Sequence, residues 1–555
     1  MTTVIPEIPE GFTLHTENNS HILLASNEAF LNPVQEFNRD TSVACIRVWS
    51  EELYKTKKEK WLLAQERKQA KKKQNKRPKL EEDVEESEAK EMPVTLPQYS
   101  QRKLVILEAL SATGLRSIRY AKEIPHVSHV IANDLSAAAT AAMRRNIDLN
   151  GLGPIPSTST EKRTEVRVTE GDACTLMYNH RESNKRVDVV DLDPYGTAAP
   201  FIDAAVQCVK DDGLLCVTCT DLAVLATTNY SEKCFSNYGG LPIKSEYCHE
   251  SALRLVLHTV STSAARYGRC IEPLLSLSID FYVRLFIRIR TAPVEVKKAV
   301  TKTSTYWVCT DCQSFYGQPM AKLTEKIHPS GTVNHTFKFQ PGPPVMDKCP
   351  ECEGVLHMAG PMWSGPIHDP AFVGKVLEHL ETNDKLYGTA SRMKGMLTVA
   401  KEELPDSPFY FTATRVANFF HCVTPSFAEV ASALLHGGHK VSRSHASAGS
   451  FKTTATRAEI FDIFRSWIKL NPVKRENISP TSPAHRLLEK EPKVEANFTK
   501  HPDSGPLTSK IKLVRYQENP KPNWGPGTKA VSGTGGSKPP TAKRKHDQVE
   551  ESEET

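Results

Sequence analysis

Asp191-Leu192-Asp193-Pro194-Tyr195-Gly196 places carboxylates, a proline and an aromatic ring at the end of an apolar run, Val187 to Leu192. The run predicts a short buried strand. Proline lacks an N–H and fixes its own φ, so it stops the strand abruptly. An acid followed by proline and a ring at a strand end suits chemistry on a planar exocyclic amine. The carboxylate and the neighbouring backbone carbonyl accept hydrogen bonds from the NH2, and the ring stacks on the base. Asp-Pro also starts ordinary turns, so these six residues read equally as a strand-to-turn corner. A second constellation is Cys309-x2-Cys312 and, after 36 intervening residues, Cys349-x2-Cys352. Two such knuckles supply four thiolates for a closed, tetrahedral, structural Zn2+ site. Cys349-Pro350-Glu351-Cys352-Glu353-Gly354 has the tight turn of a zinc ribbon, and four free cysteines are the alternative.

The elements that must position the acids alternate. Strands are expected at Leu104–Ala109, Val127–Ala132, from Val166 towards Gly171-Asp172, at the Asp193 run, and at Leu214–Thr220. Helices follow Ser111-Ala112-Thr113-Gly114-Leu115-Arg116 and span Ser136–Leu149 and Ala198–Val209. Strands separated by such helices predict a parallel sheet covered on both faces, with ligands at the carboxyl ends near the topological switch point. Gly114-Leu115-Arg116, Asp134, Asp172 and Asp193 all fall at those ends.

Asp134 stands 20 residues after Gly114, where an acid accepts hydrogen bonds from both ribose hydroxyls of an adenosine cofactor. The first turn has one glycine and lacks the G-x-G-x-x-G that brings backbone close to a pyrophosphate. S-adenosylmethionine, which has no phosphate, is therefore the expected cofactor. Asp172 would take the adenine amino group and the Ala173 N–H a ring nitrogen. Arg116 and Arg39 are candidates for the cofactor carboxylate, which arginine binds bidentately. Each of these residues alone reads as an N-cap or a surface ion pair; the ordered set favours the cofactor.

Around this centre, Val43, Ile46 and Val48 predict a helix capped by Asp40 or Thr41. From Lys55 to about Gln98 a basic block, Lys71 to Lys79, runs into an acidic one, Glu81 to Glu91, which predicts an inserted mobile loop. The basic block also fits nuclear import or a nucleic-acid patch. Arg284, Arg288 and Arg290 share one face of a strand, with solvation the default and RNA contact the alternative. Pro370 to Leu470 reads as mostly helical, and His439 to Lys452 as a basic surface loop, either ordinary or suited to phosphate contacts. Beyond Thr528 a disordered tail is expected, with Lys543-Arg544-Lys545 a second import element. The net charge is a mild +6 and no apolar run would span a bilayer. The acidic N-terminus fits neither a secretory signal nor a mitochondrial presequence. Thirteen cysteines without a signal suggest thiols and metal ligands in a soluble intracellular protein.

In combination, several motifs resemble the tRNA (guanine-26-N2)-dimethyltransferase family. They are Phe30-Leu31-Asn32-Pro33 with Asn38-Arg39-Asp40, Ser111 to Arg116, Asn133-Asp134, Asp172-Ala173 and Asp191 to Gly196, with Arg515-Tyr516-Gln517 and Asn523-Trp524-Gly525-Pro526 towards the end. The resemblance implies that Arg39, Arg116, Asp134, Asp172 and Ala173 bind S-adenosylmethionine. Asp193 and the Pro194 carbonyl would hold the guanine N2 amine, and Phe30 and Tyr195 would flank the base. Tyr195 stands where the family often has phenylalanine, which still stacks. The implied fold is α/β, a Rossmann-like class I methyltransferase domain (1–54 and 99–295, interrupted by a disordered 55–98). A C-terminal α+β tRNA-binding domain (296–527) would carry a four-cysteine zinc element (305–356), before a disordered tail (528–555). tRNA is the expected partner, a monomer the expected state, and the nucleus the expected location, with a mitochondrial pool open. Two competing readings stand beside it. One is a methyltransferase acting on adenine or another RNA, and the other is an inactive zinc-ribbon RNA-binding protein.

Overall fold

The computed structural model describes residues 8–25, 31–74, 99–155, 163–345 and 347–505. Phe30, residues 75–98 of the insertion, the Arg515–Gln517 and Asn523–Pro526 motifs and Lys543–Lys545 lie outside the described residues.

A hairpin of β1 (Phe12–Glu17) and β2 (Ser20–Ala25) precedes a 39-residue helix, Glu36–Gln74. The helix starts earlier than expected. Asp40 and Thr41 are internal, and the Thr41 hydroxyl donates back to the Phe37 carbonyl at 2.7 Å instead of capping an end. It also continues past Tyr54, so residues 55–74 are helical and not loop. Alanine, leucine, lysine, glutamate and glutamine dominate that stretch and all are good helix formers.

The central sheet follows the predicted alternation: β3 (Leu104–Glu108), β4 (Val127–Asp134), β5 (Glu165–Glu170), β6 (Val187–Leu192) and β7 (Val209–Cys219), then β8 (Arg269–Ile279) and β9 (Tyr282–Thr291). Its order is β5-β4-β3-β6-β7-β9-β8. The first five strands are parallel, and β8 and β9 close one edge antiparallel. The strand order reverses between β3 and β6, which places the crevice at their carboxyl ends.

One face of the sheet packs on the long helix. In the same core sit Phe372, Val373, Val376, Met393 and Leu397 from the helices Pro370–Thr382 and Ala390–Glu402. These helices lie beyond the 295/296 boundary expected from sequence, yet their apolar faces are buried with Phe37, Val43 and Trp49. The other face packs on Cys248–Ala265 and on β10 (Thr303–Cys309) and β14 (Leu356–Trp363), which form a three-stranded sheet with β11 (Phe315–Pro319). A separate hairpin, β12 (Ala321–Ile327) and β13 (Val333–Phe339), fills the long interval between the cysteine pairs. A third core lies among Ala413–Phe420, Phe427–His436 and Arg457–Leu470 and takes in the four cysteines.

Two charged segments differ from expectation. Arg284 has no exposed surface, whereas Arg288 and Arg290 pair at the surface with Glu272. Ser442, Ser444, His445, Ser450 and Lys452 are buried, so His439–Lys452 is not a surface loop. The buried carboxylates of Glu403 and Glu250 draw it inward, because an unpaired charge in the interior is prohibitive. Lys452 Nζ lies 3.2 Å from Glu403 and 3.1 Å from Glu250, and His445 Nδ1 is 2.5 Å from Glu403. Among the described residues no helix is long and apolar enough to cross a membrane.

Candidate active site

At the carboxyl ends of β3, β4, β6 and β7 lies a cavity of about 450 Å³. Its walls include Glu108, Arg116, Asp134, Asp193, Pro194, Tyr195 and Thr220, closed on the helical side by Asn32, Gln35 and Arg39. The strand ends are locked to each other. Asn133 donates from Nδ2 to the Ala109 carbonyl (3.1 Å) and the Gly171 carbonyl (3.0 Å), and accepts at Oδ1 from the Thr169 hydroxyl (2.9 Å). One side chain thereby joins β3, β4 and β5.

The turn after β3 needs its glycine. Gly114 has φ +77°, and a Cβ there would meet Met143 Cγ at 2.9 Å. That left-handed residue opens the helix Leu115–Glu123, which aims Arg116 into the cavity wall. The same turn presents the Ala112 N–H to Asp134 Oδ2 at 3.0 Å, while Oδ1 accepts from the Ser136 N–H at 2.9 Å. Asp134 is therefore held at the mouth in a fixed orientation.

Beneath Asp193 is a buried charge network. Arg116 Nη2 donates to the Asp193 carboxylate and its Nη1 to the Ser42 hydroxyl at 3.0 Å. Arg284 donates to Asp191, to Thr218 at 2.9 Å and to Ser42 at 2.8 Å. Ser42 thus accepts from two guanidiniums and donates to the Asn38 carbonyl at 2.6 Å. Tyr120 donates to Asp191. Burial opposes ionisation of Asp191, but Arg284 and Arg116 hold its carboxyl below the usual range. Two guanidiniums thus face Asp191 and Asp193, leaving Glu108 as a third acid. Burial pushes Glu108 up to about 8, although Arg116 lies 3.6 Å away and Ser117 donates to it.

Arg39 lines the cavity but is gripped by Glu17. Its Nε donates to Oε2 at 2.8 Å, and its Nη2 reaches both Oε1 (2.5 Å) and the Asn32 carbonyl (3.3 Å). Burial disfavours the Glu17 charge, yet His15, Arg39 and Arg119 together hold it well below the ordinary carboxylate range. Asp172 and Ala173 stand at the carboxyl end of β5, where the Asp172 carboxylate caps Ala173–Asn179 by accepting from the Thr175 N–H at 2.7 Å. Neither lines the cavity. Arg39, Arg116, Asp134, Asp193, Pro194 and Tyr195 are therefore brought together, Asp172 and Ala173 lie beside them, and Phe30 is outside the described residues. Sequence reasoning missed Glu108, Ser42, Tyr120 and Arg284, and Glu17 behind Arg39.

The four cysteines converge. Cys309 and Cys352 Sγ are 3.4 Å apart, Cys312 and Cys349 Sγ 3.6 Å, and all four sulfurs lie within 4.8 Å of one another. A Zn–S bond of about 2.3 Å puts tetrahedral sulfurs about 3.8 Å apart, so the donor set fits zinc. Both knuckles share one backbone pattern. The Cys309 N–H donates to the Ser314 carbonyl and the Cys349 N–H to the Gly354 carbonyl, and Gln313 and Glu353 each adopt positive φ. A second cluster, His368, Glu403 and His445, is held by other partners. The Ser276 and Ser278 N–H groups donate to the outer ring nitrogens, and Lys452 lies against the acid.

A doubly wound sheet with an acid-lined cavity at its switch point, extended by an α+β half with a ribbon-like four-cysteine element, is a Rossmann-like class I methyltransferase architecture. The structure of Trm1 from Pyrococcus horikoshii with S-adenosyl-L-methionine shares the fold, with TM-score 0.59 and 24% identity over 80% of this chain and 97% of that one. The chain belongs to the N2,N2-dimethylguanosine tRNA methyltransferase family, whose model matches residues 12–465. It is 44% identical to the tRNA (guanine(26)-N(2))-dimethyltransferase of Schizosaccharomyces pombe, covering 91% of this chain and 90% of that protein. It is 40% identical to the Saccharomyces cerevisiae enzyme of that name, designated mitochondrial, covering 93% and 92%.

Proposed function

We infer that this protein transfers methyl groups from S-adenosylmethionine to the N2 amine of guanine 26 in tRNA, and that it does so twice. The observation that carries the reading is Asp193-Pro194-Tyr195 in the wall of a cavity at the sheet's switch point, in a chain of this family. The guanine amine lone pair is delocalised into the ring. Hydrogen bonds from its N–H groups to the Asp193 carboxylate and the Pro194 carbonyl draw the nitrogen towards tetrahedral geometry and take up developing positive charge. Holding that nitrogen in line with the methyl supplies much of the remaining rate. Bound S-adenosylmethionine supplies an electrophilic methyl on sulfonium. Asp193 receives the proton that the methylated nitrogen sheds, and Tyr195, 69% exposed, offers a ring on which the base stacks.

For the cofactor, Asp134 is proposed to take the ribose hydroxyls, with Arg116 and Arg39 near the carboxylate end and Asp172 and the Ala173 N–H at the adenine. The four cysteines are proposed to hold one structural Zn2+, and residues 296–527 to bind tRNA. The basic stretch Lys71–Lys79 supports nuclear residence, and the name of the budding-yeast relative supports a mitochondrial pool.

The test is transfer from labelled S-adenosylmethionine to unmodified tRNA, followed by nucleoside analysis, for the wild type and Asp193→Ala. N2-methylated and N2,N2-dimethylated guanosine, lost in the variant, is expected. Label on adenosine, or no transfer despite binding of both ligands, would reject the reading.

A further inference from the structure

Three strongly exposed apolar side chains stand just past strand ends on the edge that carries the cavity: Leu135 (70%), Tyr195 (69%) and Phe281 (69%). Leu135 and Tyr195 line the cavity; Phe281 does not. It occupies the two-residue turn Asp280-Phe281 between β8 and β9, where Ile279 pairs with Tyr282. The register fixes where that turn sits. Val283 pairs with Cys219 at the end of β7, and the next residue of that segment, Thr220, lines the cavity. Phe281 lies two residues beyond Val283, on the strand two places from β6. With strands about 4.8 Å apart, its backbone is offset by roughly 10 Å across the sheet from the strand that presents Asp193. That offset exceeds the rise between stacked bases, so a neighbour of a base seated at Asp193 meets the ring as an unstacked, splayed-out nucleotide, the form in which RNA bases stack on aromatic side chains.

The turn that carries this ring is held from behind. Asp280 has φ +41°, a region that non-glycine residues enter at a cost. Its carboxylate accepts from Arg392 Nη2 at 2.7 Å, and the Arg392 guanidinium, itself buried, lies over the Phe37 ring at 4.6 Å. The backbone is thereby anchored to the helix Ala390–Glu402 and to the long N-terminal helix, while the phenyl group is left in solvent. A ring presented this way loses little freedom when something stacks on it.

We propose that Phe281 is a stacking wedge for the RNA: a nucleobase next to the target guanine packs on its ring when the target leaves its stack and enters the cavity. This rests on the function inferred above. Enzymes that modify a base inside a stacked strand must unstack it, and an aromatic side chain can replace the lost stacking partner regardless of base identity.

The experiment compares wild type, Phe281→Ala and Phe281→Trp on unmodified tRNA and on the same tRNA with an abasic site beside the target guanine; S-adenosylmethionine binding is titrated separately. Phe281→Ala is expected to lower kcat/KM on intact tRNA about tenfold or more. The deficit should shrink towards the wild-type value on the abasic RNA, where less stacking has to be broken, cofactor affinity should be unchanged, and Phe281→Trp should restore activity. Near-wild-type activity of Phe281→Ala on intact tRNA, an equal loss on both RNAs, or weakened cofactor binding would overturn the wedge. If the wild type itself placed no methyl on guanine N2 of tRNA, the underlying function would fall instead, so the two failures are distinguishable.

Discussion

The guanidinium of Arg284, on β9, reaches across β7 and grips Asp191 on β6, with Nη1 2.7 Å from Oδ1 and Nη2 3.0 Å from Oδ2. Neither side chain has any exposed surface. The pair lies one alternate residue below Asp193 and shares Ser42 with Arg116, so it forms the floor on which the reactive end of β6 rests.

Replacing Arg284 by methionine is expected to destabilise the fold by about 3–5 kcal/mol, because a buried carboxylate loses its bidentate partner. The loss is read from the urea midpoint. Adding Asp191→Asn should recover part of it, since the residues are in direct contact and their effects are not additive.

Asp134→Ala is expected to weaken S-adenosylmethionine binding by about tenfold or more, the scale of losing charge-assisted hydrogen bonds. Tyr195→Ala should leave cofactor affinity intact and raise KM for tRNA. Calorimetry with cofactor alone, set against tRNA kinetics, separates the two, and equal effects of both variants on cofactor affinity would contradict the assignment.

Glu108 carries a pH signature. Its folded pKa of about 8 lies above its ordinary 4.5, so the native chain holds a proton there that the unfolded chain releases. That contribution to stability is complete below pH 4.5 and is lost as pH rises through 8. Glu108→Gln, which mimics the protonated form, should therefore lose less melting temperature than wild type between about pH 4.5 and 8. A parallel decline in both proteins would place the titration elsewhere.

The cysteine cluster should carry one zinc per chain by elemental analysis. Cys349→Ser is expected to abolish that content and lower the melting temperature, because metal binding is folding free energy at such a site. Tyr306, Ala359 and Trp363 share a core with the helix Cys248–Ala265, so the destabilisation should spread beyond the ribbon. A full complement of metal in the variant would exclude the four-thiolate set.

What could be read in the sequence was local. Asp-Pro after an apolar run, one glycine before Leu115-Arg116 and acids at two more strand ends, Asp134 and Asp172, mark turns through the chemistry of adjacent residues, and the structure gathers most of them at one cavity. Pairings set by tertiary packing could not be read that way. Glu17 and Arg39 are 22 residues apart and Asp191 and Arg284 are 93 apart, with no periodicity linking them. The basic stretch His439–Lys452 looked solvated because Glu403 and Glu250, the acids that bury it, stand far away in sequence. The early helix start was hidden because Asp40 and Thr41 are good capping residues that here serve other partners: Asp40 accepts from the Thr389 hydroxyl and forms an ion pair with Arg119.

The core under the sheet gathers Ile22, Phe37 and Trp49 from near the start of the chain and Met393 and Ala400 from roughly 380 residues further on. During synthesis the part of that face under Pro370–Glu402 stays uncovered until those helices emerge. At about 5–20 residues per second, the roughly 380 residues from Ile22 to Ala400 take about 20–80 s to emerge from a ribosome. All seven strands of the central sheet and the long helix Glu36–Gln74 are made by Thr291, well before Pro370–Glu402, so the nascent protein passes through a stage with a finished sheet whose face is only partly covered. A fragment ending there should be prone to aggregation or retained by chaperones, and the helices from Pro370 to Glu402 are the last piece to cover this face.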